Sequence, residues 1–140
     1  MKSKLRALLA LTPEERRALG LAWAYLLISD LALRILPLPR VERLLARLSA
    51  GRREPGLTPA RLAQLTGIAA RHHLLPMVCL PQSLALQALL RRQGLSSELR
   101  IGVRRADGTL HAHAWVEHAG SPLGEPVPYL PLAKGGGSAG

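Results

Sequence analysis

The chain changes its hydrophobic period once. Up to about residue 93, apolar positions recur at three- and four-residue spacing, the pattern of amphipathic helices. From Ser97 to Glu117 they alternate with polar residues, as half-buried strands do. Thr12-Pro13-Glu14-Glu15 marks a helix start: Thr12 caps, Pro13 takes the first helical position and Glu15 completes a capping box. This helix is expected to end before Pro37. Pro37 and Pro39 form a rigid corner, and Val41, Leu44, Leu45 and Leu48 then define a short second helix. Residues 51–56 read as a surface linker. Leu57-Thr58-Pro59 restarts a helix with the stripe Leu62, Leu65, Ile68 and Ala69, ending near His72. After a turn near Pro76, a fourth helix begins at Cys79 and runs to Arg92 or Gln93, with Gly94 as its left-handed stop.

The strand pair can be aligned without a structure. Asp107-Gly108 is a tight-turn pair, and centring the turn between them sets Leu99, Ile101 and Val103 opposite Val116, Ala114 and Ala112. One face is then wholly apolar. The other sets His111 opposite Arg104, His113 opposite Gly102 and Trp115 opposite Arg100, so no side chain crowds His113 from across the pair. These elements describe an α+β chain divided into a helical region (1–56), a core (57–134) and a flexible Gly-rich tail (135–140).

Length and charge narrow the context. At 140 residues the chain can bury a core without staples, and its single cysteine permits no internal disulfide. A reducing cytoplasm is the expected location. Nineteen Lys and Arg against nine Asp and Glu give a net charge of +10. Most arginines lie on predicted helix surfaces or in pairs such as Arg52-Arg53, Arg91-Arg92 and Arg104-Arg105, without interleaved aromatics on which bases could stack, so nucleic acid is not expected as a partner. The apolar stretch 18–28 gives way to Ser29, Asp30 and Arg34. It is read as a buried or partner-facing helix, short of the roughly 20 apolar residues of a span, and membrane association is not expected.

The candidate chemistry lies where the period changes. Cys79 opens a helix whose free N–H groups favour an anion, and His113 follows 34 residues later on the returning strand. A thiol and an imidazole so placed suit nucleophilic attack on an amide carbonyl: His113 takes the thiol proton and passes it to the leaving amine, while the Cys79 N–H helps hold the oxyanion. Gln82, Ser83, Gly102, His111 and Trp115 are expected in the substrate or oxyanion vicinity. An orienting acid is harder to place. Glu117 shares a strand face with His113 but lies roughly 13 Å away along an extended chain at about 3.3 Å per residue. If the chain reverses about Ala119, Glu125 falls opposite His113 and becomes the candidate orienter. Other readings compete: Cys79 as inert core in a noncatalytic protein, or Cys79, His111 and His113 as zinc ligands, which lack metal-type spacing. Trp115 reads as packing, an Arg100 cation–π partner or a substrate wall, His72 and His73 as a helix end, and His118 as turn surface.

Cys79-Leu80-Pro81-Gln82-Ser83-Leu84-Ala85-Leu86, Leu89-Leu90-Arg91-Arg92-Gln93-Gly94-Leu95, Leu99-Arg100-Ile101-Gly102-Val103-Arg104 and His111-Ala112-His113-Ala114-Trp115-Val116-Glu117, in that order, resemble the transglutaminase-like lasso-peptide B protein in its stand-alone leader-peptidase form. The resemblance covers about residues 57–132. It implies a papain- or transglutaminase-like α+β fold, with a helical N-terminal half and a nucleophile helix packed on a small antiparallel sheet. It further implies a cytoplasmic cysteine peptidase, without cofactor or metal, that removes the leader of a ribosomally made precursor. The family's Cys and His map onto Cys79 and His113. Its third member is usually Asp, where this chain has Glu125. No leader-recognition domain fits within the chain, so the implied partners are the precursor peptide, a separate leader-recognition protein and the lasso cyclase. Acyl transfer to an amine, as by a transglutaminase, is the alternative reaction.

Overall fold

The computed structural model describes residues 6, 9–50, 56–71, 79–123 and 130–134, with the side chains of residues 104, 106, 111 and 130–134 left aside. Among the described residues, helices α1 (Pro13–Ile35), α2 (Leu38–Ser49), α3 (Pro59–Arg71) and α4 (Cys79–Arg92) precede strands β1 (Glu98–Ala106), β2 (Thr109–His118), β3 (Ser121–Pro122) and β4 (Leu130–Lys134), and residues 6, 9 and 10 are also helical. The strands form one antiparallel sheet in the order β3-β2-β1-β4. This is an α+β architecture.

Local chemistry sets the helix ends. The Glu15 N–H donates to Thr12 Oγ1 at 3.1 Å and the Thr12 N–H donates to Glu15 Oε1 at 3.0 Å, the reciprocal box expected from sequence. That N–H and the Arg61 guanidinium of α3 hold the Glu15 carboxyl below its ordinary range. Thr58 starts α3 in the same way, accepting from the Arg61 N–H at 3.1 Å. Gly94 closes α4 with φ +76°, its N–H reaching Arg91 O at 3.0 Å and that of Leu95 reaching Leu90 O at 2.9 Å, the paired bonds of a Schellman stop. The corner between α1 and α2 is narrower than expected. Pro37 precedes α2, while Pro39 lies inside its first turn, where its missing N–H leaves no helical bond unmade. The linker residues 51–55 and His72, His73 and Pro76 lie outside the described residues.

One continuous core runs from Ala18 of α1 to Val116 of β2, so the N-terminal helices and the sheet share a single interior. Leu26, Leu45, Leu62, Leu65, Leu84 and Leu90 are fully buried, and Leu99, Ala114 and Val116 cap them from the sheet. Arg91 ties α4 to α2 by donating to Ser49 Oγ at 2.9 Å, and its burial lowers its pKa. Helix α1 continues through Ser29, Asp30 and Arg34 for 23 residues, and by length and composition it is long and apolar enough to cross a membrane. The uninterrupted apolar run ends before Ser29, but the helix does not. Here Ser29 is fully buried and Asp30 is paired with Arg34 at 3.2 Å, so both stay within the helix. The exposed side of its C-terminal half carries Leu31 and Ile35.

Candidate active site

The β1–β2 hairpin has the register expected from its turn: Leu99 pairs with Val116, Gly102 with His113 and Arg100 with Trp115. Asp107 and Gly108 both take positive φ, 52° and 76°, whose twist matches that of the flanking strands. Ala114 and Val116 therefore face the helices, and His113 and Trp115 the opposite side.

Cys79 is the first residue of α4, and its thiol meets β2. The Ala114 N–H donates to Cys79 Sγ at 3.3 Å. The direction of that N–H follows from the ladder. Val116 accepts from the Leu123 N–H at 2.9 Å, so its backbone points toward β3, and Ala114, two residues earlier, points the same way. The described part of β3 stops short of Ala114, and there the thiol takes the amide. Sulfur thus lies near the plane of the sheet at the edge of β2, bonded to the residue that follows His113.

The His113 ring lies parallel to the indole of Trp115, with ring centroids 6.2 Å apart and planes 17° apart. Burial pushes the His113 pKa below its ordinary value of 6.5, which favours the neutral imidazole that a base requires. Trp115 is only 6% exposed although it faces away from the helical core. Its Nε1–H donates to Glu117 Oε2 at 3.0 Å, and Arg100 Nε donates to Glu117 Oε1 at 3.2 Å. Arg100 also pairs with Glu98 at 3.0 Å. The guanidinium is therefore engaged by two carboxylates, while the indole lies parallel to the His113 ring.

The other candidates divide between the site and its surroundings. Gly102 is buried opposite His113. Gln82, one turn along α4, sends its Nε2 toward Gly67 of α3, 3.6 Å from where a Cβ on that glycine would lie. Ser83 is 6% exposed, on the same side of α4 as Cys79 and among core residues. His111 sits opposite Arg104 in the ladder. His118 is more than turn surface: its Nδ1 lies 2.7 Å from Ser96 O, tying the end of β2 to the entry of β1.

The β2–β3 turn corrects one expectation. Glu117 pairs with Pro122 and His118 with Ser121, because Ala119 and Gly120 form a two-residue turn with φ 53° and 82°. This register is one residue away from the one expected for a reversal about Ala119. Glu125 itself lies outside the described residues. Glu117, set aside on strand distance, is joined to His113 through the intervening indole. Its signal was the shared face of His113, Trp115 and Glu117. Among the described residues, no group of three or more His, Cys, Asp or Glu side chains is placed to hold a metal ion.

Residues 18–133 match the model of the transglutaminase-like superfamily. The chain belongs to this superfamily. It includes cysteine peptidases and acyltransferases, and in this member the matched region takes in the N-terminal helices as well as the Cys79 helix and the His113 hairpin. No curated protein and no solved structure matches the chain.

Proposed function

We propose that this transglutaminase-like protein is a cysteine peptidase that removes the leader from a ribosomally made lasso-peptide precursor in the cytoplasm. The observation that carries the catalytic part is the thiol of the first α4 residue, hydrogen-bonded to the strand residue next to His113. The leader-peptidase part rests on the ordered motif series from Cys79 to Glu117.

In this reading Cys79 Sγ attacks the carbonyl carbon of the last leader residue as His113 takes the thiol proton. The carbonyl oxygen becomes an oxyanion facing the free N–H groups at the start of α4. The C–N bond then breaks, and His113 returns the proton to the departing core-peptide amine. The leader remains as a thioester on Cys79. Water, deprotonated by His113, releases it as a free acid. Glu125, or another acid, would orient the imidazole. A separate recognition protein would present the leader, and the cyclase would take the freed core.

Superfamily membership favours a second reading, in which an amine replaces water and an isopeptide forms. Mass spectrometry of precursor incubated with wild type and Cys79→Ala, with and without a recognition protein and an added primary amine, separates them. The peptidase gives leader and core at the masses of hydrolysis, and Cys79→Ala gives neither. An amine adduct as the main product would replace hydrolysis by acyl transfer, and equal cleavage by both proteins would end the cysteine mechanism.

A further inference from the structure

We propose that Arg100, Glu117 and Trp115 form a positioning relay that fixes the plane of the His113 imidazole. The inference rests on the Cys79–His113 reading given above and extends it to residues that act through the imidazole.

A histidine on a strand face turns about two side-chain bonds, and a base that must meet a thiol cannot be left to do so. Opposite His113 stands Gly102, which offers no side chain to brace the ring. Bracing comes from along the strand. The indole of Trp115 lies nearly parallel to the imidazole, within the range of an offset stack. The indole is held in turn: its single donor is used on Glu117 Oε2, while the other Glu117 oxygen takes the Nε–H of Arg100 from the neighbouring strand. Both side chains of that ion pair are only 19% exposed, so water competes weakly for their hydrogen bonds. Glu98 Oε2 lies 3.0 Å from Arg100 Nη2 and adds a half-exposed ion pair to the same guanidinium. Each member thereby has one orientation set by the next, and the last constraint falls on the ring of His113. A buried indole needs an acceptor for its Nε1–H, and here that acceptor is a carboxylate whose other oxygen is held by an arginine across the ladder, which leaves the indole little freedom to turn.

The test uses the intact protein and iodoacetamide, which reports the reactivity of the only thiol without a natural substrate. Alkylation rates at neutral pH are compared for wild type, His113→Ala, Glu117→Ala, Glu117→Gln, Trp115→Ala and Trp115→Phe, each checked for folding by thermal melting. His113→Ala is expected to slow alkylation about tenfold. Glu117→Ala and Trp115→Ala are expected to slow it by several-fold in the same direction. Glu117→Gln, which keeps an oxygen for the indole, and Trp115→Phe, which keeps a stacking ring, are expected to recover part of the loss. If Glu117→Ala melts early, Arg100→Leu decides the point from the other strand. Folded Glu117→Ala and Trp115→Ala with wild-type rates, beside a slowed His113→Ala, overturn the relay. A His113→Ala rate equal to wild type overturns the Cys–His reading itself.

Discussion

The Cys79 sulfur and the Ala114 amide meet at 3.3 Å, so the nucleophile helix is docked to the sheet through a strand N–H at the edge of β2. The contact spans 35 residues of sequence and fixes the height of the helix tip beside His113. A serine at position 79 keeps an acceptor for that N–H. Cys79→Ser is therefore expected to melt close to wild type while losing nucleophilic activity, and a large fall in its melting temperature would show that the contact depends on sulfur's size.

The environment of His113 links stability to acid. Its folded-state pKa is depressed by burial from the ordinary 6.5, so below that value the unfolded chain binds a proton that the folded chain resists. The stabilisation from the neutral ring is complete above about pH 6.5 and declines as pH falls toward the folded-state pKa. Urea unfolding of wild type and His113→Gln from about pH 8 to about pH 5 checks this. The wild-type midpoint should drop relative to the variant as pH falls, and a difference that grows in wild type's favour would reverse the sign.

Ala119 holds a left-handed backbone conformation, φ 53°, in the β2–β3 turn, where its side chain is exposed and its Cβ unfavourable. Ala119→Gly is expected to stabilise the protein by about 0.5–1 kcal/mol and to raise its melting temperature by a few degrees. A lower melting temperature would count against the turn described.

Gly67 is the converse case. It lies inside α3, and a Cβ there would meet Gln82 Nε2 at 3.6 Å and Arg71 Nη1 at 3.7 Å, both ordinary contacts. Gly67→Ala should therefore add about 0.5–1 kcal/mol of helix stability. Because the new methyl also abuts Gln82, thiol alkylation measured alongside the melt shows whether that side chain bears on Cys79. Unchanged alkylation separates Gln82 from the site.

Much of this was legible because its causes are local. The Thr12–Glu15 box, the Thr58 start, the Gly94 stop and the Asp107-Gly108 hairpin each depend on residues within a few positions, and period-two alternation fixed which faces His113 and Ala114 occupy. What escaped depends on side-chain reach or distant docking. Glu117 lies beyond direct reach of His113 along the strand, and the indole that stands between them shows only in the side-chain conformations. The Ala114–Cys79 contact joins elements whose approach no local pattern encodes. The second hairpin slipped by one residue because the turn was centred on Ala119 alone, when Ala119 and Gly120 share it.

In the proposed reaction Cys79 forms a covalent bond to the leader, which intact-protein mass spectrometry of an acid-quenched reaction with precursor would detect. A protein species heavier by the acyl leader, mapped to Cys79, released by hydroxylamine and absent from Cys79→Ala, is the expected result. Precursor cleaved at the same rate by Cys79→Ala, with the wild-type thiol unmodified throughout, would contradict it.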